Sequence, residues 1–346
     1  MEIIKGMGML GITLIIFSVF SFKAPKGQKA MSGLAGAAVA TFLVEAIHKY
    51  ISGDFLGLAF LGQVGGVSGS MGGVAAATIV SMYLGASPIY AVTAGVACGG
   101  TGILSGFLAG YAVGLIGPEL EKRLPSGLDI IVGVLLIAPF GRLIATATAP
   151  YIDTTLGMIG NTIAVAAQQS PVIMGFLLGG IIKMLCTSPL SSMALTAMLG
   201  LDGLAMGIAS IACVGGSFTN GMVFKRLKLG ETSNMIGVML EPLTQADVVT
   251  ANALPIYMSN FIGGGLAGMM ASLLGIINNA PGTASPIPGL IAPFAFNEPI
   301  VVVQAIALAI LGGLAGGLIG TQLYMALRKV ARSVKEKSST RRGVAV

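Results

Sequence analysis

Long uncharged runs separated by short polar breaks dominate this chain, and the runs have the length of helices that cross a membrane. The longest lies between Asp54 and Glu119, where 64 consecutive residues carry no charge. A crossing helix needs about 20 apolar residues, so this run alone has room for three crossings. The pattern predicts an all-α polytopic membrane protein with about ten transmembrane helices. Outside the longest run, the predicted spans are 6–22, 30–48, 129–149, 171–186, 203–223, 255–278 and 300–327.

Two segments in the second half break this pattern, and we expect both to be re-entrant hairpins. Residues 187–202 begin with a Ser-Pro turn and a polar cluster, and residues 279–299 contain five prolines without a helical period. At membrane depth, non-helical backbone is tolerated only where it is buried in protein or lines a cavity. Short, interrupted segments of this kind are typical of transporter binding sites. The two hairpins are therefore the candidate substrate site.

The composition agrees with a membrane protein and excludes other classes. Charged residues make up 9% of the chain and hydrophobic residues 55%, whereas about a quarter of a soluble protein is charged. A soluble enzyme and a disordered protein are both excluded. The tail 328–346 holds seven basic residues and one acidic residue, so it accounts for the whole net charge of +6. A basic segment directly after a span predicts a cytoplasmic, lipid-facing tail, and we expect no nucleic-acid partner because no folded basic domain accompanies it.

Catalysis by this chain alone is not expected, and neither is a cofactor. The sequence has no Walker motif, no HExxH, no GxSxG and no kinase signature. Cys98, Cys186 and Cys213 form no CxxC pair, so neither a disulfide framework nor a metal site is predicted. We interpret the three cysteines as packing residues.

Charged side chains in apolar surroundings are costly, which makes them the first candidates for function. The strongest is Glu298 in the sequence Phe296-Asn297-Glu298-Pro299. Pro299 suits the first position of the long final helix, which places Asn297 and Glu298 at its N-terminus beside the second hairpin. A carboxylate accepts two hydroxyl hydrogen bonds, and an amide both donates and accepts. This is the chemistry of sugar or polyol binding, and a purely structural capping pair is the alternative.

A second set of polar residues is predicted to line the substrate path. Glu241 and Asp247 flank Pro242 in an apolar frame. The combination indicates a broken helix along a polar cavity or, alternatively, a solvated shelf outside the membrane. The first hairpin adds three serines: Ser188, Ser191 and Ser192.

The remaining isolated charges are given structural interpretations. Lys183 and Arg142 lie near the ends of predicted spans and are expected to reach the interface with their charged ends. Glu45 is expected to pair with Lys49, one helical turn further on.

The Pro-rich segment, the Asn297-Glu298-Pro299 motif and the long final helix together resemble the membrane component, IIC, of phosphotransferase-system sugar transporters. The similarity is to the glucose and diacetylchitobiose superfamily, and in overall pattern to the IIC-like branch that resembles the perfringolysin regulator. In that family a re-entrant hairpin carries an N-E-P or T-E-P motif whose glutamate binds sugar hydroxyls, and a preceding hairpin completes the site. The resemblance implies that Glu298 and Asn297 bind the sugar.

The same resemblance implies an architecture and a set of partners. Residues 1–150 would form a scaffold with a homodimer interface, residues 151–327 a transport half that moves as an elevator, and residues 328–346 the cytoplasmic tail. No IIB domain is recognised in these 346 residues, so phosphorylation would need separate IIA and IIB proteins. Better known family members have a histidine in or near the site, whereas the only histidine here, His48, belongs to the first half and is expected to lie far from the site.

The main hypothesis is a multi-pass protein of a bacterial-type plasma membrane that transports a sugar or a similar polyhydroxy solute. One alternative is a ligand-sensing membrane regulator whose basic tail contacts a cytoplasmic partner. Another is an ion-coupled secondary transporter of an organic anion, with Glu241, Asp247 and Glu298 as proton or sodium sites. The sequence names neither the solute nor the coupling.

Overall fold

The computed structural model describes residues 2–125, 127–188 and 192–343, and every regular element in these ranges is helical. The first half contains α1 (Glu2–Lys23), α2 (Gly27–Ala38), two π-helical segments (Val39–Leu43 and Ala46–Phe55), α3 (Ala59–Ser70), α4 (Gly72–Leu84), α5 (Pro88–Ala97), α6 (Ile103–Arg123) and α7 (Leu128–Gln169). The second half contains α8 (Pro171–Thr187), α9 (Ser192–Met198), α10 (Gly203–Leu227), α11 (Thr232–Leu240), a 3₁₀ turn (Pro242–Gln245), α12 (Ala246–Ala251), α13 (Ala253–Leu273), α14 (Pro286–Ile291), a 3₁₀ turn (Ala292–Ala295) and α15 (Pro299–Gly343).

Five helices in the described residues are long and apolar enough to cross a membrane, or six if α3 and α4, which meet at a bend of 56°, form one span. The prediction of a multi-pass helical membrane protein is confirmed at this level. The count of about ten crossings stays a prediction. Shorter apolar helices that are candidates for the rest are Gly11–Lys23, Pro88–Ala97, Pro171–Thr187 and Pro286–Ala295.

Helix α7 is much longer than the span predicted at 129–149. It continues for 42 residues through Pro139 and Pro150, which is about 63 Å at 1.5 Å per residue. Prolines are tolerated within membrane helices because neighbouring groups satisfy the freed backbone carbonyls. The predicted boundary between the two halves, at residue 150, falls inside this helix.

The second half is a bundle of α8, α10, α13 and α15 in which glycines allow close approach. A methyl group on Gly316 of α15 would overlap the backbone of Gly263 in α13, and one on Gly313 would overlap Gly215 in α10. Small residues at crossings are how helices associate in lipid, where burial of apolar surface supplies little driving force. In the first half, α4 packs against α2 and α6 in the same manner.

Both predicted hairpin regions contain short helices between long ones. The first includes α9 and a turn at Gly200, whose φ is +58°. The second turns at Gly282, whose φ is +82°, and continues into α14 and the following 3₁₀ turn. The expectation of no helix in the second region is wrong for Pro286–Ala295, because prolines in the first turn of a helix cost no hydrogen bond.

Candidate functional site

The fully buried lysine of α8 marks the centre of the second half. Lys183 is 0% exposed, and its methylene groups occupy the space that Gly216 of α10 and Gly264 of α13 leave open. Gly216 lies 13 residues after Gly203 and 11 before Leu227, so the lysine is about 16 to 20 Å from either end of α10. The expectation that Lys183 reaches the interface is wrong, because protein encloses it on all sides.

A buried amide cluster lies one helical turn from this lysine. The Asn260 side-chain N–H group donates to Asn220 Oδ1 at 2.7 Å and to Thr187 Oγ1 at 3.2 Å. Asn220 Nδ2 in turn donates to the carbonyl oxygen of Val238 at 3.4 Å. Asn260 Oδ1 is buried without a hydrogen-bond partner among the described residues. The cluster therefore ties α8, α10, α13 and the end of α11 together at one depth.

Glu241 lies where α11 breaks, directly beside this region. Ser217 of α10 donates to the carbonyl oxygen of Met239 at 2.7 Å, which fixes the end of α11 against α10. The helix ends at Leu240, the backbone of Glu241 is extended (φ −147°, ψ 98°), and Pro242 begins the 3₁₀ turn. The break predicted at Glu241 and Pro242 is present, and the polar cavity predicted along it stays a prediction.

The tips of the two hairpin regions meet at the same place. Ser192 of the first donates to the carbonyl oxygen of Ala284 in the second, and Ser285 Oγ donates to Glu241 Oε2 at 3.4 Å. Lys183 Nζ lies 3.9 Å from Cys186 Sγ, and its helix α8 packs against the 3₁₀ turn that follows Glu241. We call this group the polar centre; its members are Lys183, Cys186, Ser192, Glu241 and Ser285.

The other two predicted serines belong to the same hairpin. Ser188 caps the end of α8, is buried, and donates to the carbonyl oxygen of Leu185 at 2.9 Å. Ser191 lies outside the described residues.

Asn297 and Glu298 lie at one end of the bundle. Asn297 accepts from the Ile277 N–H at 3.0 Å, and its own N–H groups donate to the carbonyl oxygens of Ile277 and Pro293, both at 2.7 Å. Glu298 is exposed. A methyl group on Gly207 would overlap the neighbouring Ile276, and Gly207 precedes Gly216 by nine residues, so about 14 Å along α10 separates this region from the polar centre.

Asp247 is also apart from the polar centre. It is exposed in the first turn of α12, where a carboxylate is favoured by the helix dipole. The structure thus brings Glu241 and Ser192 together, and places Asn297, Glu298 and Asp247 elsewhere.

The lone histidine belongs to an element that packs against the second hairpin. The π-helical segment Ala46–Phe55 contacts the 3₁₀ turn Ala292–Ala295, and His48 Nδ1 on that segment is buried without a partner among the described residues. Lys49 pairs with Glu45 at 2.9 Å, as predicted. The segment that contains His48 therefore contacts the hairpin that precedes Asn297, although the two are far apart in the sequence.

The polar centre combines one carboxylate, one ammonium group and two hydroxyls at the depth where two hairpins meet. Such a set donates and accepts hydrogen bonds in several directions, which suits a polyhydroxy molecule. Within the described residues, no group of three His, Cys, Asp or Glu side chains has the geometry to hold a metal ion. Lys183, Ser285, Asn220 and Asn260 were missed as site candidates. The two asparagines could have been found, because polar residues inside the predicted spans 203–223 and 255–278 are unusual.

The family model described as Phosphotransferase system, EIIC, matches residues 28–339 of this chain. The match includes both hairpin regions and every member of the polar centre. Searches of curated proteins and of solved structures gave no match.

Proposed function

Because the chain belongs to the EIIC family of the phosphotransferase system, whose members are multi-pass plasma-membrane sugar transporters, we propose that it carries its sugar at the polar centre. The observation that supports this placement is the meeting of the two hairpins with the broken helix, through the contacts Ser192–Ala284 and Ser285–Glu241. Glu241 accepts hydroxyl hydrogen bonds from the sugar, and the serines donate and accept. Charge-assisted bonds of this kind are stronger than neutral ones, so Glu241 supplies most of the affinity.

We assign Glu298 and Asn297 to the outer end of the path. Glu298 is an exposed carboxylate at the start of α15 and binds hydroxyls of the incoming solute. Asn297 holds the loop that presents it, since its amide is bonded to Ile277 and Pro293. Ser188, Ser191 and Asp247 complete the proposed lining of the path.

For the transport step we propose an elevator movement. The glycine-packed bundle of α8, α10, α13 and α15 is the moving body. The N-terminal half is the scaffold and forms the interface of a homodimer in which each chain has about ten transmembrane helices. Tight packing favours movement of the bundle as a unit, because small-residue crossings leave little room for one helix to slide past another. The hairpin tips part to admit the sugar and close behind it.

Phosphorylation is assigned to separate IIA and IIB proteins on the side of the basic tail, which we propose to be cytoplasmic. The chain contributes binding and movement, in keeping with EIIC domains as transporter components. The similarity to the perfringolysin-regulator branch stays a prediction from the sequence.

The test is ligand binding by detergent-purified protein, measured as a rise in melting temperature across a panel of mono- and disaccharides, since a ligand that binds only the native state stabilises it by mass action. For the sugar that gives a rise, Glu241→Gln should weaken binding about tenfold to a hundredfold, because a hydrogen bond to a charged group contributes about 1.5–3 kcal/mol. Glu298→Gln should weaken it less. The control is Glu119→Gln, which changes an exposed carboxylate paired with Arg123. Undiminished affinity in the Glu241 variant would exclude the polar centre as the sugar site.

A further inference from the structure

A cavity of about 500 Å³ lies where the first half of the chain meets the hairpin regions, and we call it the junction cavity. Its volume is within the range of small-molecule binding sites in proteins. Its walls come from the first π-helical segment, the bend between α3 and α4, the loop before α6, helix α7 and the end of α9. Among the lining residues are Phe42, Ser70, Thr101, Gly102, Asp153 and Ala197.

Both hairpins contribute to the wall of the junction cavity or touch it. A methyl group on Gly282 of the second hairpin would lie 3.2 Å from Ala197 Cβ and 3.3 Å from Phe42 Cβ, and both of these residues line the cavity. Ala197 belongs to α9, which begins at Ser192, the serine that donates to the carbonyl oxygen of Ala284. Five residues of helix separate Ser192 from Ala197, which is about 8 Å. The polar centre and the junction cavity therefore lie at opposite ends of the same short helix.

The polar groups of the junction cavity can both accept and donate hydrogen bonds. Asp153 of α7 is exposed, and its carboxylate makes no hydrogen bond or ion pair with the other described residues. A methyl group on Gly102 would lie 3.7 Å from Asp153 Oδ1, so the carboxylate lies beside the loop that precedes α6. The hydroxyls of Ser70 and Thr101 each donate to a carbonyl oxygen three residues earlier at 2.8 Å, which leaves their oxygens as acceptors. The first turn of α6 adds backbone N–H groups that no side chain of its N-cap residue satisfies.

The loop before α6 is held in place from two sides. Arg142 of α7 donates to the carbonyl oxygens of Ala97 and Gly99 at 3.2 and 2.7 Å. A methyl group on Gly73 would overlap the carbonyl oxygen of Thr101, so the loop also packs closely on α4. This wall of the cavity is therefore fixed by contacts within the first half of the chain, whereas the opposite wall belongs to a hairpin.

The charge of the cavity selects among solutes. Among the described residues that line it, Asp153 is the charged one. Glu45 lies against Gly69 in the wall and is already paired with Lys49 at 2.9 Å. An anionic solute would therefore meet a carboxylate without a lining cation to offset the repulsion. A neutral solute with several hydroxyls can instead donate to Asp153 and accept from the loop.

We propose that the junction cavity is a second binding site for the neutral, unphosphorylated sugar, with Asp153 accepting hydrogen bonds from its hydroxyls. The inference rests on the proposed function, because it gives the sugar a position beside the hairpins before or after it occupies the polar centre. The Asp153 charge disfavours a phosphorylated sugar, so the site distinguishes the substrate from its phosphorylated product. Movement of the hairpins against the first half changes the shape of this site, since its walls come from both.

The test is the protection of a cysteine in the cavity wall. Ser70→Cys in the detergent-purified full chain is labelled with a water-soluble maleimide, and the buried native cysteines give the background. The probes are glucose, N-acetylglucosamine, mannitol and maltose, and at least one of them should slow the labelling. Asp153→Asn should raise the concentration for half-protection at least about tenfold, as expected for a lost hydrogen bond to a charged group. Since Asp153 has no partner to lose, this variant should fold.

Two controls separate binding from indirect effects. Ser32→Cys, at an exposed serine of α2 that does not line the cavity, should be labelled at the same rate with and without sugar. Asp54→Asn, which removes another exposed carboxylate of the first half, should leave the half-protection of Ser70→Cys unchanged. Absence of protection of Ser70→Cys by every probe would overturn the proposal.

A Glu241→Gln background distinguishes the two sites. Half-protection of Ser70→Cys should occur at the same sugar concentration in this background, because the junction cavity does not contain Glu241. Equal loss of protection in Glu241→Gln and Asp153→Asn would place the sugar at the polar centre alone and would overturn the proposal. A phosphorylated form of the protecting sugar should need at least about ten times the concentration, and equal protection by both forms would contradict the role of Asp153. The proposed function is decided separately, by the effect of Glu241→Gln on the thermal shift.

Discussion

The contact between Lys183 and Gly264 offers a direct test of how the bundle is packed. In Gly264→Ala, the new methyl group would overlap Lys183 Cβ and would lie 2.8 Å from the carbonyl oxygen of Gly179. Neither atom can rotate away, because one is fixed to the α8 backbone and the other belongs to it. Helices α8 and α13 must therefore separate along the crossing that holds the second half together.

The size of the effect follows from two opposing contributions. Overpacking of a well-packed interior destabilises the folded state by about 1–3 kcal/mol, whereas replacing glycine by alanine within a helix stabilises it by up to about 1 kcal/mol. Gly157→Ala is the matched control, because Gly157 lies within α7 and a methyl group there meets nothing within 4 Å. The two variants should differ by about 1–3 kcal/mol in free energy of unfolding, or roughly 1 to 4 °C in melting temperature for a chain of this size.

The three free cysteines make the measurement possible without tryptophan, which this chain lacks. Cys98, Cys186 and Cys213 are all buried, so a thiol-reactive fluorogenic dye reports the temperature at which the interior opens. Gly264→Ala should melt clearly below Gly157→Ala. Equal melting temperatures would refute the close crossing of α8 and α13, and with it the enclosure of Lys183.

Two further predictions use the same assay. Asn297→Ala removes two hydrogen bonds to the backbone of Ile277 and one to Pro293 within the second hairpin, all of 2.7 to 3.0 Å, and should lower the free energy of unfolding by about 1–3 kcal/mol. Asn161→Ala on the exposed face of α7 should lower it little, and equal effects would contradict the role of Asn297 in holding the hairpin against Ile277. Lys49→Ala should lower the free energy of unfolding by less than about 1 kcal/mol, because the side chain is 39% exposed and exposed ion pairs contribute little. A larger loss of stability would show that the pair with Glu45 holds the π-helical segment in place.

The apolar runs predicted where helices lie more reliably than how they end. The span predicted at 203–223 lies within α10, and Pro299 begins the final helix. Both features follow from local rules of helix length and capping. The span at 129–149 was too short, since the polar residues after 150 do not stop a helix whose backbone bonds are already satisfied. Helix length in lipid depends on such internal bonding, which hydropathy does not measure.

The polar centre could be predicted only in part, because its depth is set by contacts between distant residues. Glu241 and Ser192 were named from their local surroundings, within a broken helix and a hairpin. Lys183 was not, because its burial depends on Gly216 and Gly264, which follow it by 33 and 81 residues. Asn297 was placed correctly at a helix start, yet its amide partner Ile277 lies 20 residues away, and no spacing rule within one segment predicts such a contact.

A cross-link between the hairpins would test whether they part during transport. Ser192 bonds to the carbonyl oxygen of Ala284, so cysteines at these two positions are close enough for a short bifunctional thiol reagent, in a chain whose three native cysteines are replaced by alanine. With the sugar identified by thermal shift, uptake into vesicles should fall at least about tenfold on cross-linking, and a reductant-cleavable linker should restore it. The Ser192→Cys variant alone, treated identically, controls for the reagent. A gate that must open for each sugar cannot work when its two sides are joined, since closure and opening of such elements accompany every cycle. Full uptake through the linked protein would mean that the sugar passes without separating Ser192 from Ala284, and the substrate path would then have to run outside the polar centre.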